Sequence, residues 1–304
     1  YDQEHLAHIL GFETSALRSA LRDSSALYYE FNIPKRRFGY RTISAPYSSL
    51  REIQRWILVH ILDKCGHHAA ATAFIKGRSI KLNAEAHMCQ RVVLSLDIRD
   101  YFPSISAPRV KGVYQKLGYT SDVAETLMQL TTLRDGLPQG APSSPALSNL
   151  VMQDVDASLH SYAIERGIYY TRYADDLTFS GNLHAGSVIS VVRATLSGVG
   201  LALNEDKTRQ MLPHQRQEVT GVVVNAKMQA PRKLRRSLRQ ELYYIKSRGL
   251  EEHLQHRFSL YSRRLDHLRG VAEFILFLNP DDRDAQATVD FLGRVRYERH
   301  LDSE

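Results

Sequence analysis

Apolar residues along the chain follow two periods, and the switches between them mark out the elements. "RVVLSLDI", residues 91 to 98, is a near-continuous β-branched run of the kind that fills a sheet covered on both faces, and its last carboxylate is Asp97. "IYYTRY" and "LTFSG" bracket Ala174, Asp175 and Asp176, which predicts a hairpin with acidic residues at its tip. "EVTGVVVN", residues 218 to 225, predicts one more strand, and "RRFGYRTISA", residues 36 to 45, a basic hairpin around Gly39. Helical spacing governs the rest. Leu6, Ile9 and Leu10, then Leu17 and Leu21, predict short helices over the first 30 residues, and "LREIQRWILVHIL" predicts another. Ser144-Pro145 suits an N-cap and first turn, from which Leu147, Leu150, Val151, Val155, Leu159 and Tyr162 continue one helical face. "SVISVVRATLSGVG" predicts a helix stopping at Gly198 or Gly200, and the last 75 residues read as helical and basic. Strand, helix, hairpin, helix and strand in that order predict an α+β sheet with helices on one face, extended by a helical lobe.

Composition narrows the class. The 304 residues are 43% hydrophobic and 24% charged, ordinary for a globular enzyme. No apolar run reaches the roughly 18 residues of a membrane span, and no signal-peptide pattern opens the chain. The cysteines, Cys65 and Cys89, make no disulfide framework, so a reducing cytoplasm is expected; Tyr1 in place of Met implies a trimmed start. Zinc is disfavoured, because "CGHH" with "HMC" fits structural-zinc spacing poorly. The net charge of +7 favours polyanionic partners only weakly, but its distribution says more. Between Pro231 and Gly249, Arg232, Lys233, Arg235, Arg236, Arg239, Lys246 and Arg248 face a single Glu241, while Leu234, Leu238, Leu242 and Ile245 recur at helical spacing. That is a helix with a basic side, which a solvated surface alone would also explain.

The carboxylates pose the sharper question. A sheet that sets the strand ending at Asp97 beside the hairpin gathers Asp97, Asp175 and Asp176 at one edge. Burying them unpaired would cost several kcal/mol each unless a hard, oxygen-preferring dication sits among them, and Mg²⁺ meets that need. Neighbours on a strand point to opposite faces, so Asp97 and Asp175 are the stronger direct ligands and Asp176 the weaker.

"YADD" between strands, preceded by "LDIRDYF" and "LPQGAPSSP", resembles the palm motifs of reverse transcriptases in their family order. The resemblance implies a right-hand polymerase: fingers, a palm with an antiparallel sheet, and a helical thumb. Fingers and palm would occupy residues 1–228, with the palm core at about 91–103 and 145–228, and the basic thumb residues 229–304. Residue by residue, it makes Asp97, Asp175 and Asp176 the catalytic, metal-binding triad for two Mg²⁺, with Mn²⁺ able to substitute. Phe102 stands where the family excludes ribonucleotides, and Gln139 and Gly140 where it contacts the incoming dNTP. Lys207 takes the place of a lysine that protonates leaving pyrophosphate. Arg41, with Lys35, Arg36 or Arg37 beside it, matches the triphosphate clamp.

Two signatures point further. "NAEAH", Asn83 to His87, and "VTG", Val219 to Gly221, resemble those of bacterial retron reverse transcriptases, a likeness running from about Tyr28 to at least Asn279 and departing at Ala73, where the family has Gly. Asn83 and His87 lie one helical turn apart and share a face, which predicts joint contact with structured RNA, together with Thr220 and with Arg232, Lys233, Arg235, Arg236 and Arg239. The resemblance implies a dedicated noncoding RNA (msr-msd), copied into msDNA from a guanosine 2′-hydroxyl, within an anti-phage defence system. The chain's end near residue 304 leads us to expect a separately encoded effector protein. A noncatalytic RNA scaffold restraining an effector, and a group II intron-like or diversity-generating reverse transcriptase, are the competing readings.

Overall fold

In the computed structural model, which describes residues 3–11, 13, 15, 17, 21, 24–35, 39–249 and 261–301, the chain divides into two units. The first comprises residues 1–79 and 94–210, the second residues 80–93 and 211–304. The expected division lay after residue 228. Contacts divide the chain earlier because Val219, Val222 and Val224 share an apolar core with Leu238 and Ile245, and that core also takes in Ala84 and Val93.

The first unit opens with the helix Gln3–Ile9 and a 3₁₀ turn at Ser24–Leu27. Strand β1 (Tyr28–Pro34) then pairs antiparallel with β2 (Tyr40–Pro46), from Tyr28↔Pro46 to Pro34↔Tyr40. The basic hairpin therefore starts at residue 28, in a stretch assigned partly to helix; its Tyr28, Tyr29, Phe31 and Ile33 are strand formers. Arg36, Arg37 and Phe38 lie outside the described residues.

The main sheet has four strands in the order β4-β5-β3-β6, with β3 at Val92–Asp97, β4 at Tyr169–Tyr173, β5 at Asp176–Gly181 and β6 at Arg209–Met211. Leu94, Leu96, Leu177 and Phe179 from the strands share one core with Ile57, Val110, Leu127, Leu147, Leu159 and Val192 from surrounding helices. The helix expected to run from Ser144 through Tyr162 is two, Ser144–Val151 and Gln153–Glu165, broken at the fully buried Met152. Ser143, not Ser144, stands at the N-cap; the Ser144 hydroxyl instead donates to the Pro138 carbonyl at 2.8 Å. The helix Ala185–Ser197 ends at Gly198, as the spacing predicts.

In the second unit, "EVTGVVVN" is not one strand but a tight hairpin, β7 (Glu218–Val219) against β8 (Val222–Val223). Thr220 and Gly221 both take positive φ, +47° and +83°, the pattern of a type I′ turn. The helix Ile80–Glu85 packs on β8. Helices Arg232–Arg248, Tyr261–Leu278 and Arg283–Leu301 complete the unit, the first burying Leu238 and Ile245. Among the described residues, no helix is long and apolar enough to cross a membrane.

Candidate active site

Asp97 is the last residue of β3 and only 6% exposed. Just past it, the Ile98 amide donates to the Asp175 carbonyl at 3.0 Å, which fastens the strand end to the hairpin tip. That tip is a two-residue turn: Tyr173 pairs with Asp176, and Ala174 takes a left-handed φ of +57°. An alanine there carries strain of order 1–2 kcal/mol. The structure brings Asp97 and Asp175 to one cavity of about 520 Å³. Asp176 does not line it, in keeping with its position on the strand beyond the turn.

The electrostatics show crowding. Burial first, then Asp97, pushes the Asp175 carboxyl above its ordinary range, with Lys207 and Arg41 opposing. Burial and then the charges of Asp175 and Asp97 push Asp176 up to about 7. Lys207 Nζ donates to both oxygens of Asp97, at 2.9 and 2.8 Å, and Asn204 Nδ2 to one at 3.1 Å. An ammonium seated on that carboxylate occupies a place where positive charge is wanted. Among the described residues, no group of three or more His, Cys, Asp and Glu side chains forms a ready metal cage. The donor set nevertheless suits a hard divalent cation: carboxylate oxygens held close together in a largely buried place.

The other expected nucleotide-binding residues gather at the same cavity. Lys35, Arg41, Phe102, Gln139 and Lys207 all line it. Phe102 lies beside Phe74, ring centroids 6.3 Å apart. Gly140 also meets a packing need. At φ +135°, a Cβ there would fall 2.8 Å from Ile43 Cγ2 and 2.9 Å from the Ser44 carbonyl, so glycine lets the loop seat on β2, where the Ser44 amide donates to the Gln139 carbonyl at 2.9 Å. Sequence reasoning missed Asn204, three residues before Lys207, and Tyr101. It also passed over Arg172, a charged residue inside a strand-like run and the one signal that a buried polar network lay there.

The expected RNA-binding residues all belong to the second unit. Asn83 and His87 are fully buried, and burial lowers the His87 ring to about 3. The helix stops at Glu85, so His87 stands in the turn beyond it and not on a helical face shared with Asn83; Asn83 Nδ2 donates to Thr220 Oγ1 at 3.2 Å. The two signatures meet in one hydrogen bond. Arg232, Arg235 and Arg239 line a cavity of about 290 Å³ together with Arg216, whereas Lys233 and Arg236 are exposed elsewhere on the helix. Arg235 is committed to Asp282 at 2.6 Å.

A family model described as reverse transcriptase (RNA-dependent DNA polymerase) matches residues 33–293. The retron Ec86 reverse transcriptase of Escherichia coli is 34% identical over 262 residues, covering 84% of this chain and 76% of that protein. The retron Mx65 reverse transcriptase of Myxococcus xanthus is 35% identical over 312 residues, covering 94% and 70%. Among solved structures, Candida albicans telomerase, in a complex with a TWJ fragment of telomeric RNA, overlays with a TM-score of 0.49 at 11% identity; the match covers 88% of this chain and 63% of that one. The chain belongs to the reverse transcriptases, RNA-directed DNA polymerases with a right-hand α+β fold, and within them to the retron family.

Proposed function

We propose that the chain copies a dedicated noncoding RNA (msr-msd) into msDNA, beginning from the 2′-hydroxyl of a guanosine in that RNA, and that it works in anti-phage defence beside a separately encoded effector in the cytoplasm. The observation that carries the catalytic part is the convergence of Asp97 and Asp175 on a cavity also lined by Arg41, Lys35, Phe102 and Gln139. Asp97 and Asp175, with Asp176 behind them, would hold two Mg²⁺, or Mn²⁺ in their place; such ions, when bound, activate an attacking hydroxyl and stabilise the leaving pyrophosphate. The protein's own residues do the positioning. Arg41 presents a planar guanidinium suited to triphosphate oxygens, with Lys35 beside it as a point charge. Phe102 and Gln139 line the same cavity, where the Phe102 ring would exclude a sugar 2′-hydroxyl and Gln139 would contact the incoming dNTP. Lys207, poised on Asp97, is the proton donor available to the departing pyrophosphate.

Expressing the chain with its flanking DNA and looking for small branched DNA tests this reading. Branched product is expected from the parent and none from Asp175→Ala. Phage protection that survives Asp175→Ala would favour the noncatalytic scaffold. Extension of a free 3′ end with no branched product would leave a polymerase but remove the retron role, and so favour the intron-like or diversity-generating reading.

A further inference from the structure

Beneath the turn that carries Asp175 lies a polar group that the chemistry above does not use. Arg172, on β4 two residues before Ala174, has no exposed surface, side chain included. A guanidinium there persists only with a full set of partners. Nε and Nη2 fork onto Asp156, at 2.8 Å to Oδ1 and 2.6 Å to Oδ2, and the Tyr170 hydroxyl donates to the same Oδ1 at 2.8 Å. Among the described residues, Asp156 is the carboxylate that pairs with it.

The remaining nitrogen, Nη1, faces the other way. It donates to the Ala174 carbonyl, the Tyr101 hydroxyl and Asn149 Oδ1, each at 3.1 Å. Two of the acceptors, Ala174 and Tyr101, line the nucleotide cavity, and the third, Asn149, stands behind it. The Ala174 carbonyl is in the peptide that leads into Asp175, and it fixes the strained turn. Tyr101 precedes Phe102, their rings 5.3 Å apart. Asn149 Nδ2 donates to the Ala73 carbonyl at 2.8 Å, next to Phe74, whose ring lies against Phe102. The Arg172 backbone is itself pinned: its amide donates to the Ala70 carbonyl at 2.8 Å, and its carbonyl accepts from Thr72 N at 2.8 Å and Thr72 Oγ1 at 2.9 Å. Burial obliges Nη1 to find acceptors, and what ties the ion pair to the site is which acceptors it finds: the Ala174 carbonyl beside Asp175 and the Tyr101 hydroxyl beside Phe102.

We propose that Arg172 is a positioning residue that couples two sides of the polymerase site, holding Asp175 through the Ala174 carbonyl and Phe102 through the Tyr101 hydroxyl, so that one buried guanidinium sets both catalytic rate and preference for deoxyribonucleotides. The inference rests on the cavity being the dNTP site. Lysine cannot replace it, because a single ammonium cannot fork onto Asp156 and reach the Ala174 carbonyl at once.

The test uses the purified full chain adding one nucleotide to a DNA primer on an RNA template, with kcat and KM measured for a dNTP and the matching rNTP. Arg172→Lys, the paired change Arg172→Met with Asp156→Leu, and Tyr101→Phe are compared, with melting temperatures. The paired change leaves no orphaned charge and is expected to stay folded. Arg172→Lys and the pair should lower kcat for the dNTP about 10- to 100-fold, as small misplacements of reacting groups do, with KM within about threefold. Tyr101→Phe should keep most of the rate and lose roughly tenfold in dNTP over rNTP preference. Should Arg172→Lys fail to fold, the pair and Tyr101→Phe decide the matter. Folded variants that retain the parent's rate and preference overturn the proposal. A parent that extends no primer sinks the polymerase reading and this one with it.

Discussion

Burial of a histidine can be read in the pH dependence of stability. His87 is fully buried, and burial lowers its ring from 6.5 to about 3. The unfolded chain takes up a proton near pH 6.5 and the folded chain does not until near pH 3, so stability falls as pH drops through that window. The loss should reach on the order of 3 kcal/mol by pH 4. Chemical denaturation between pH 4 and 7 is expected to show this slope, flattened in His87→Gln. Lys207 makes a second prediction. Its ammonium sits on the nearly buried Asp97 while its own side chain is 56% exposed. Lys207→Met should strand that carboxylate, so Mg²⁺ should raise the variant's melting temperature by a few degrees more than the parent's. Equal shifts in thermal melts would speak against Asp97 as a cation ligand.

At the scale of elements, the β7–β8 hairpin carries a β-branched residue in a left-handed conformation, Thr220 at φ +47°. Such a residue stores about 1–3 kcal/mol and persists when its surroundings dictate it, here through Asn83. Asparagine tolerates the conformation and keeps a polar side chain, so Thr220→Asn should raise stability by about 1 kcal/mol in urea titration. The same hairpin shows what patterning could not reveal. Thr-Gly is not among the usual two-residue turn signals, and four valines around it read as a single strand. The carboxylate hairpin was legible because two strand-like runs and a break name their own turn. The Arg172 network was not: its partners Asp156 and Tyr101 lie 16 and 71 positions away, and only the fold brings them together. Gly140 was legible as a required glycine, but the neighbour that requires it, β2, comes from a distant stretch.

For the whole molecule, the surplus of +7 gains meaning from where the arginines stand. Arg232 and Arg239 line the second unit's cavity with Arg216, while Arg235 is held by Asp282. If this surface tracks RNA phosphates, Arg232→Glu with Arg239→Glu should weaken RNA binding across sequences and reduce the slope of log affinity against log salt by about one per lost contact. Filter binding at several salt concentrations measures it, and an unchanged slope would remove these residues from the interface. Arg235→Glu should act otherwise, by unfolding, since it sets two carboxylates together where Asp282 is buried. Residues 80–93 belong with residues 211–304 rather than with their neighbours in sequence. A ribosome must therefore translate well over a hundred further codons before Ala84 and Val93 meet the valines and leucines they pack against, on the order of ten seconds at ordinary elongation speed. Throughout that interval the nascent polypeptide holds out a sticky segment, which makes it a ready client for chaperones and leaves any prematurely terminated product prone to aggregate.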